Sequence, residues 1–406
     1  MKGMHRMKKL IICLFLMALS GGQMVAQSGA TVAVYSRHTL RGLSSKMPPG
    51  TVEVPAIGLT CALPALSYEM NATTAGLTFA RQEYPMALQA AVSFAMASIG
   101  EKDDFDGRWD TIRADLATQR TFETALHIRL GLGGNIPLTG CPTEGGKVSD
   151  PVTSTAWVAE VVGKDVLQSL PLPSGSVERL QASGEAFATA LHKALTGKDE
   201  TVRLPLLMDG KIKTPLFEAL SLLAASLEMS APKGPPIPLV LGQDTKGGDV
   251  ANVVALGLSL IASRWVTLFP GETGDLAAYF PLTYIDGLPA GRHEILVGHD
   301  EQLFCIKQSL GLVSFEKEPA SARVYPMETL VFVRNAGQVA IVGMRMQYER
   351  DGQTKGKFQH SLLWKGPVKD WESRLAAVKT RLQTSPLTAR WIDTPIPPVA
   401  EIRVLD

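Results

Sequence analysis

The sequence predicts an α/β fold, a sheet flanked by helices with a mainly helical subdomain inserted between its strands. Three observations carry that expectation. Two apolar runs, Thr31-Val32-Ala33-Val34 and Glu294-Ile295-Leu296-Val297-Gly298, read as buried strands that each run straight into polar residues. Between about 156 and 265, apolar residues recur at three- and four-residue spacing, as in helices that bury one face. Residues 329–334 and 338–348 read as two strands joined at Asn335-Ala336-Gly337, a hairpin turn.

The chain has 406 residues, with 40 basic against 39 acidic side chains and a net charge of +1. Nucleic-acid binding would need a basic excess or stripe, and neither is present. An apolar fraction of 45% is that of a globular protein. Lys2, His5, Arg6, Lys8 and Lys9 make a basic start, 10–19 is a short apolar run, and Gly22 or Ala26 offers a small exit residue. Residues 1–26 therefore read as a secretory signal peptide, and the mature form as periplasmic or secreted without a membrane anchor. Cys13 lies inside the apolar run, not at its end, which argues against a lipid anchor. Cys61, Cys141 and Cys305 remain, an odd number that permits at most one internal disulfide. Their spacing fits no zinc motif.

In chain order, the first strand leads into Tyr35-Ser36-Arg37-His38-Thr39-Leu40-Arg41. This places an imidazole between two guanidiniums. Arginine forks match phosphate oxygens, and a neutral histidine is a nucleophile. Residues 42–75, rich in Gly, Pro, Ser and Thr, read as a long loop over the mouth of the site. A helix is expected over 77–97, with Pro85 interrupting it or opening a second one. A strand-to-helix turn near 118–121 puts Arg120 at a helix amino terminus, where backbone N–H groups favour an anion. The glycines of 131–134 and 140–147 make no phosphate loop, since Cys141 and Val148 occupy the positions that require Gly and Ser or Thr. Residues 131–155 read instead as a turn-rich connection.

Helical segments near 158–167, 185–195, 216–229 and 249–265 are separated by proline-rich breaks. The stretch 250–269 approaches bilayer length, but Asn252 and Arg264 interrupt it, so a buried helix is expected. The second strand ends in His299-Asp300, and Gly298 before it lets the backbone pass close to a neighbour. Residues 369–383 read as an amphipathic helix with Trp371, Leu375, Val378 and Leu382 on one face. The tail, with Pro395, Pro397 and Pro398, reads as extended. The expected division is 1–26 signal peptide, 27–155 with 270–406 as the α/β domain, and 156–269 as the helical subdomain.

Three stretches, in order and widely spaced, resemble signatures of the histidine acid phosphatases, the clan of bacterial phytases and glucose-1-phosphatases. Ser36-Arg37-His38-Thr39-Leu40-Arg41 resembles the Arg-His-x-x-Arg signature, and Gln119-Arg120-Thr121-Phe122-Glu123-Thr124-Ala125 the second-arginine segment. Val297-Gly298-His299-Asp300 resembles the His-Asp signature. The periplasmic glucose-1-phosphatase type is the nearest. The resemblance implies a phosphoglycerate-mutase-like sheet and a secreted acid phosphomonoesterase that forms a phosphohistidine, acting on sugar phosphates or phytate-like esters. It makes His38 the nucleophile, with Arg37, Arg41, Arg120 and His299 holding the phosphoryl oxygens. Asp300 becomes the general acid that protonates the leaving alcohol. No metal and no cofactor are implied, because guanidiniums can take a cation's place.

Two other readings share that fold: a non-catalytic periplasmic protein that binds phosphate esters, and a phosphotransferase or mutase. Keeping both His38 and Asp300 counts against pure binding, and export to where ATP is scarce favours hydrolysis. The chain departs from the family at Thr39 and Leu43, where Gly and Pro are frequent, and at Glu301 and Gln302, where a small or polar residue and Asn are usual. Glu301 sets a second carboxylate beside the acid. Substrate choice is expected to lie in the 42–75 loop and the middle third. His127, His192, His293 and His360 fall on helical or strand patterns outside these stretches and read as structural or exposed.

Overall fold

Thr31–Arg37 forms strand β1, and all seven of its residues are buried. Val32 and Val34 pack on one face of the sheet with Ile295, Val297, Val331 and Val333. Ala33 and Tyr35 pack on the other with Leu296, Leu330 and Phe332. A strand covered on both faces needs no polar alternation, so its sequence reads as one apolar run.

The computed structural model describes residues 29–39, 50–54, 59–63, 74–102, 105–141, 150–163, 166, 174–196, 198–203, 247–269, 271–313, 323–347 and 357–402. The signal peptide expected over 1–26 and the helix expected over 216–229 lie outside them. After β1 come β2 (Gly50–Val54), β3 (Leu59–Leu63), α1 (Thr74–Gln82), α2 (Tyr84–Ser98), β4 (Thr111–Ala114), α3 (Gln119–Gly131) and β5 (Leu138–Gly140). Then follow α4 (Ala156–Val162), α5 (Ser176–Thr196), α6 (Gly247–Leu268), α7 (Glu272–Asp286), β6 (His293–Gly298) and α8 (Asp300–Ser309). The chain ends with β7 (Thr329–Arg334), β8 (Gln338–Gln347), β9 (Lys357–Pro367), α9 (Val368–Thr384) and the short β10 (Ala400–Glu401).

Eight strands form one sheet in the order β10-β5-β4-β6-β1-β7-β8-β9, and β2 and β3 pair by themselves. The four strands β5, β4, β6 and β1 run parallel, so their carboxyl ends share one edge. The register sets Arg37 opposite Gly298 and Ala114 opposite Val297. The residues that follow these three strands, His38, Asp115 and His299, thus emerge side by side. In open α/β sheets such an edge is where ligands bind. Helices α1, α2 and α3 cover one face, and α4, α7, α8 and α9 the other.

The hairpin of β7 and β8 turns where expected. The Asn335 side-chain oxygen accepts from the N–H groups of Gly337 (2.9 Å) and Gln338 (2.7 Å), mimicking a backbone turn. Pro85 lies in the first turn of α2, where its missing N–H is no loss, and so opens a second helix. The stripe of α9 packs inward with Trp371, Val378 and Leu382 buried. α6 occupies the apolar stretch near 250–269, and no helix among the described residues is long and apolar enough to cross a membrane.

Elsewhere the structure departs from the expected pattern. The 42–75 stretch contains the β2–β3 hairpin, whose β-branched Thr51, Val52 and Val54 suit a strand despite the flanking prolines. The 131–155 connection contains β5, three residues that are too few to show a period. The helix expected over 158–167 stops at Val162, because Gly163 takes a positive φ of 91°. Pro281, which lies inside α7, hides that helix, and β9 is hidden by a bulge at Leu363 that sets Leu362, Leu363 and Trp364 in a row and breaks the two-residue alternation. The extended tail includes a 3-10 turn at Ala389–Trp391 before β10 joins β5. Cys141 and Cys305 are buried free thiols. Cys61 sits on β3 with its side chain outside the described residues.

Candidate active site

His38 lies one residue beyond β1 and is fully buried. Its N–H donates to the Gly298 carbonyl at 2.9 Å, so sheet pairing continues past the strand and fixes the ring. Nδ1 lies 2.7 Å from the Thr39 carbonyl, which can only accept. Nε2 receives the Nε–H of Arg120 at 3.1 Å, and a guanidinium can only donate. Both neighbours dictate one tautomer, with the proton on Nδ1 and the lone pair on Nε2. That lone pair is what a nucleophilic imidazole needs, and it faces Arg120.

Arg120 is the second residue of α3, as the strand-to-helix turn led one to expect. Thr118 caps the helix in an extended conformation. Thr124, one turn on, accepts the Thr39 N–H at 3.1 Å and ties the helix to the end of β1. The far end of the Arg120 guanidinium, Nη2, is 3.3 Å from His299 Nδ1. His299 therefore accepts at Nδ1 and donates from Nε2 to Asp115 at 2.8 Å. The His38 and His299 rings stand 5.5 Å apart at 73°.

Asp115 had no assigned role in the sequence. It follows β4 and is buried, taking Thr118 Oγ1 at 3.1 Å as well as His299. Burial pushes its carboxyl up, but the hydrogen bond from His299, the Ala117 N–H and the Thr118 hydroxyl together hold it below the usual carboxylate range. It stays ionised and fixes the tautomer and angle of His299. Nothing local marks an isolated Asp after a strand; only the pairing of β4 with β6 brings it opposite His299.

Arg37, the last residue of β1, is buried. Its Nη1 donates to the Val324 carbonyl at 2.8 Å, and its Nη2 is 3.7 Å from Asp300 Oδ2. Asp300 opens α8, where an acid suits the positive end of the helix dipole. Arg37, His38, Arg120, His299 and Asp300 are thus gathered at one edge of the sheet, while Arg41 lies outside the described residues. Gly298 is required there: a Cβ would overlap the Tyr35 hydroxyl and the Thr153 carbonyl. Gln302 is structural, since it accepts from Tyr35 at 2.6 Å and donates to Pro151 and Ala277 at 2.9 and 3.1 Å.

Glu301 is half-buried and accepts from Thr155 Oγ1 at 3.2 Å. Thr155 belongs to a turn anchored by Asp150, which receives two bonds of 2.7 Å from buried Arg113. Burial and then the adjacent Asp300 carboxylate push the Glu301 carboxyl upward. Two neighbouring carboxylates resist ionising together, so a charge on Glu301 bears directly on the adjacent Asp300. Removing that charge with Glu301→Gln is expected to shift the alkaline limb of the activity profile to lower pH, by about half a unit to one unit. A pH–rate profile checks it, and an unmoved limb would separate Glu301 from the chemistry.

The remaining histidines stand apart from this cluster. His293 bonds the carbonyls of Arg108 and Ala30, His192 faces Glu200, and His360 packs on Phe94. His127 sits on α3, where burial and Arg81 hold its imidazole below the usual value. Among the described residues, His, Cys, Asp and Glu form no group of three suited to a metal ion.

The chain has the fold of solved bacterial phytases. The Klebsiella sp. ASR1 phytase matches at a TM-score of 0.56 and 15% identity, over 87% of this chain and 96% of that one. The Citrobacter braakii phytase matches at 0.55 and 15%, over 86% and 98%. A Hafnia alvei phytase in complex with myo-inositol hexakis sulphate matches at 0.54 and 14%, over 90% and 99%. No family model and no curated protein matches the chain by sequence.

Proposed function

We propose that this chain is a secreted histidine acid phosphatase that hydrolyses phosphate monoesters, with sugar phosphates or phytate-like polyol phosphates as substrates. The observation that carries the reading is the His38 tautomer, with its Nε2 lone pair directed at Arg120 inside a cluster of guanidinium and carboxylate groups. The phytase fold, matched over nearly the whole chain, supports it. So does the Hafnia alvei complex, in which a protein of the same fold holds a polyanionic inositol ester.

In the proposed reaction a phosphoryl oxygen takes over the Arg120 hydrogen bond and releases His38 Nε2. That nitrogen attacks phosphorus in line, the P–N bond forms and the P–O bond to the alcohol breaks. Asp300 gives its proton to the departing alkoxide. Arg37, Arg41 and Arg120 hold the non-bridging oxygens as charge redistributes, and His299 joins them by taking a proton on Nδ1, the resulting imidazolium being held by Asp115. Water then attacks the phosphohistidine, losing a proton to Asp300, and orthophosphate leaves with His38 restored.

The test is an assay of the periplasmic fraction of cells expressing the full chain, at mildly acid pH without added metal. Glucose 1-phosphate, phytate and p-nitrophenyl phosphate are compared. Release of phosphate in that fraction is expected. Tight binding of all three esters with no turnover would overturn hydrolysis and favour a phosphate-ester-binding protein.

A further inference from the structure

Asp300 and Lys307 are seven residues apart on α8, two turns, and so lie on one face of the helix. Asp300 approaches Arg37. Lys307, although charged in ordinary surroundings, is 1% exposed and reaches a loop that has no part in the chemistry above. Its Nζ donates to Glu328 Oε1 at 2.7 Å and to the Arg323 carbonyl at 3.2 Å. Glu328 is 2% exposed, and its other oxygen accepts the Tyr325 N–H at 2.8 Å. Arg345 on β8 approaches the same carboxylate at 3.4 Å. A buried ion pair costs desolvation and is weak evidence for stability, which directs attention to what it holds in place.

Residues 323–328 touch the site at three points. The Val324 carbonyl holds the Arg37 guanidinium at 2.8 Å, and the Glu328 carbonyl accepts the Arg37 N–H at 2.9 Å. The Met327 N–H donates to the His38 carbonyl at 3.4 Å. Met327 itself, fully buried, has a φ of 57°, a left-handed conformation that a side chain adopts only when its surroundings impose it. Arg323 is pinned in turn to Ser259 Oγ on α6 at 2.7 Å. The loop is therefore held in a strained path against Arg37 and His38, and Lys307 is the bolt that fastens it to the helix bearing Asp300.

We propose that Lys307 and Glu328 are positioning residues, a buried clamp that sets the Arg37 guanidinium against Asp300 and so shapes the phosphoryl pocket. The inference rests on the proposed phosphatase reading. It requires that loosening the clamp act through Arg37, on phosphate affinity and turnover and not only on stability.

The test uses Glu328→Gln, which keeps the side chain's shape but turns one of its two acceptor oxygens into a donor, and the double variant Lys307→Met/Glu328→Gln, which removes both buried charges together. Each is made in the wild-type and Arg37→Lys backgrounds. Thermal melts, kcat and KM for p-nitrophenyl phosphate, and the Kd of inorganic phosphate by calorimetry are measured. In variants that melt cooperatively, kcat/KM is expected to fall by roughly 10- to 100-fold, the scale of a misplaced binding group. The phosphate Kd should rise, and most of both effects should vanish in the Arg37→Lys background. Unchanged phosphate affinity in a folded variant, or losses that simply add to those of Arg37→Lys, would overturn the clamp. If no ester is turned over, the hydrolytic reading fails, while the phosphate Kd still decides the clamp.

Discussion

His38→Ala is expected to lose turnover of every phosphate ester by on the order of 10^4-fold or more, as removal of a covalent nucleophile does. The remaining guanidiniums and His299 would still bind phosphate, so the loss should fall on kcat and not on KM. A second readout separates nucleophile from bystander. Rapid quenching of the wild type into alkali, which spares phosphohistidine, should trap labelled phosphate on the protein, and the variant should trap none. Thr39 holds the Nδ1 proton, Arg120 marks the Nε2 lone pair, and burial keeps both arrangements fixed. A variant that retained wild-type kcat would remove the phosphohistidine from the scheme.

The sequence shows the fold best where burial is two-sided or a turn is chemically specific. β1 and β6 stand out because a strand covered on both faces needs no polar alternation through its middle, as in residues 32–35 and 295–297. Asn335 announces the β7–β8 turn because its side chain replaces a backbone acceptor. Elements that depend on distant partners leave weaker traces. β5 has three residues and makes sense only between β4 and β10, and α7 tolerates Pro281 because its surroundings hold it as a helix. Pattern reasoning reads local chemistry, whereas these segments take their conformation from tertiary contacts.

The candidate site follows the same division. Arg37, His38, His299 and Asp300 are conspicuous because each terminates a recognisable strand, and Arg120 because it begins a helix. Asp115 has the same position after its own strand but no partner in sequence, and its value appears only when Ala114 is found opposite Val297. Lys307 and Glu328 are harder still. In the sequence they are unremarkable surface charges, and nothing but the packing of α8 on the 323–328 loop shows that they are buried together.

Asp300→Asn tests the acid through the leaving group. A sugar or inositol alkoxide is too basic to depart unprotonated, so hydrolysis of such esters is expected to fall by about 10^2- to 10^4-fold, the usual worth of general acid catalysis. p-Nitrophenolate leaves readily without a proton, so transfer of its phosphoryl group to His38 should be slowed far less. The same carboxylate is proposed to activate water, and the second half-reaction would then lag. Mixing the variant with p-nitrophenyl phosphate should give a burst of nitrophenol equal to the enzyme, followed by slow turnover and an accumulated phosphoenzyme. Equal losses on aryl and sugar esters with no burst would remove Asp300 from both proton transfers. Undiminished turnover of sugar phosphates would instead point to Glu301, the neighbouring carboxyl that burial and Asp300 push upward, as the source of the proton.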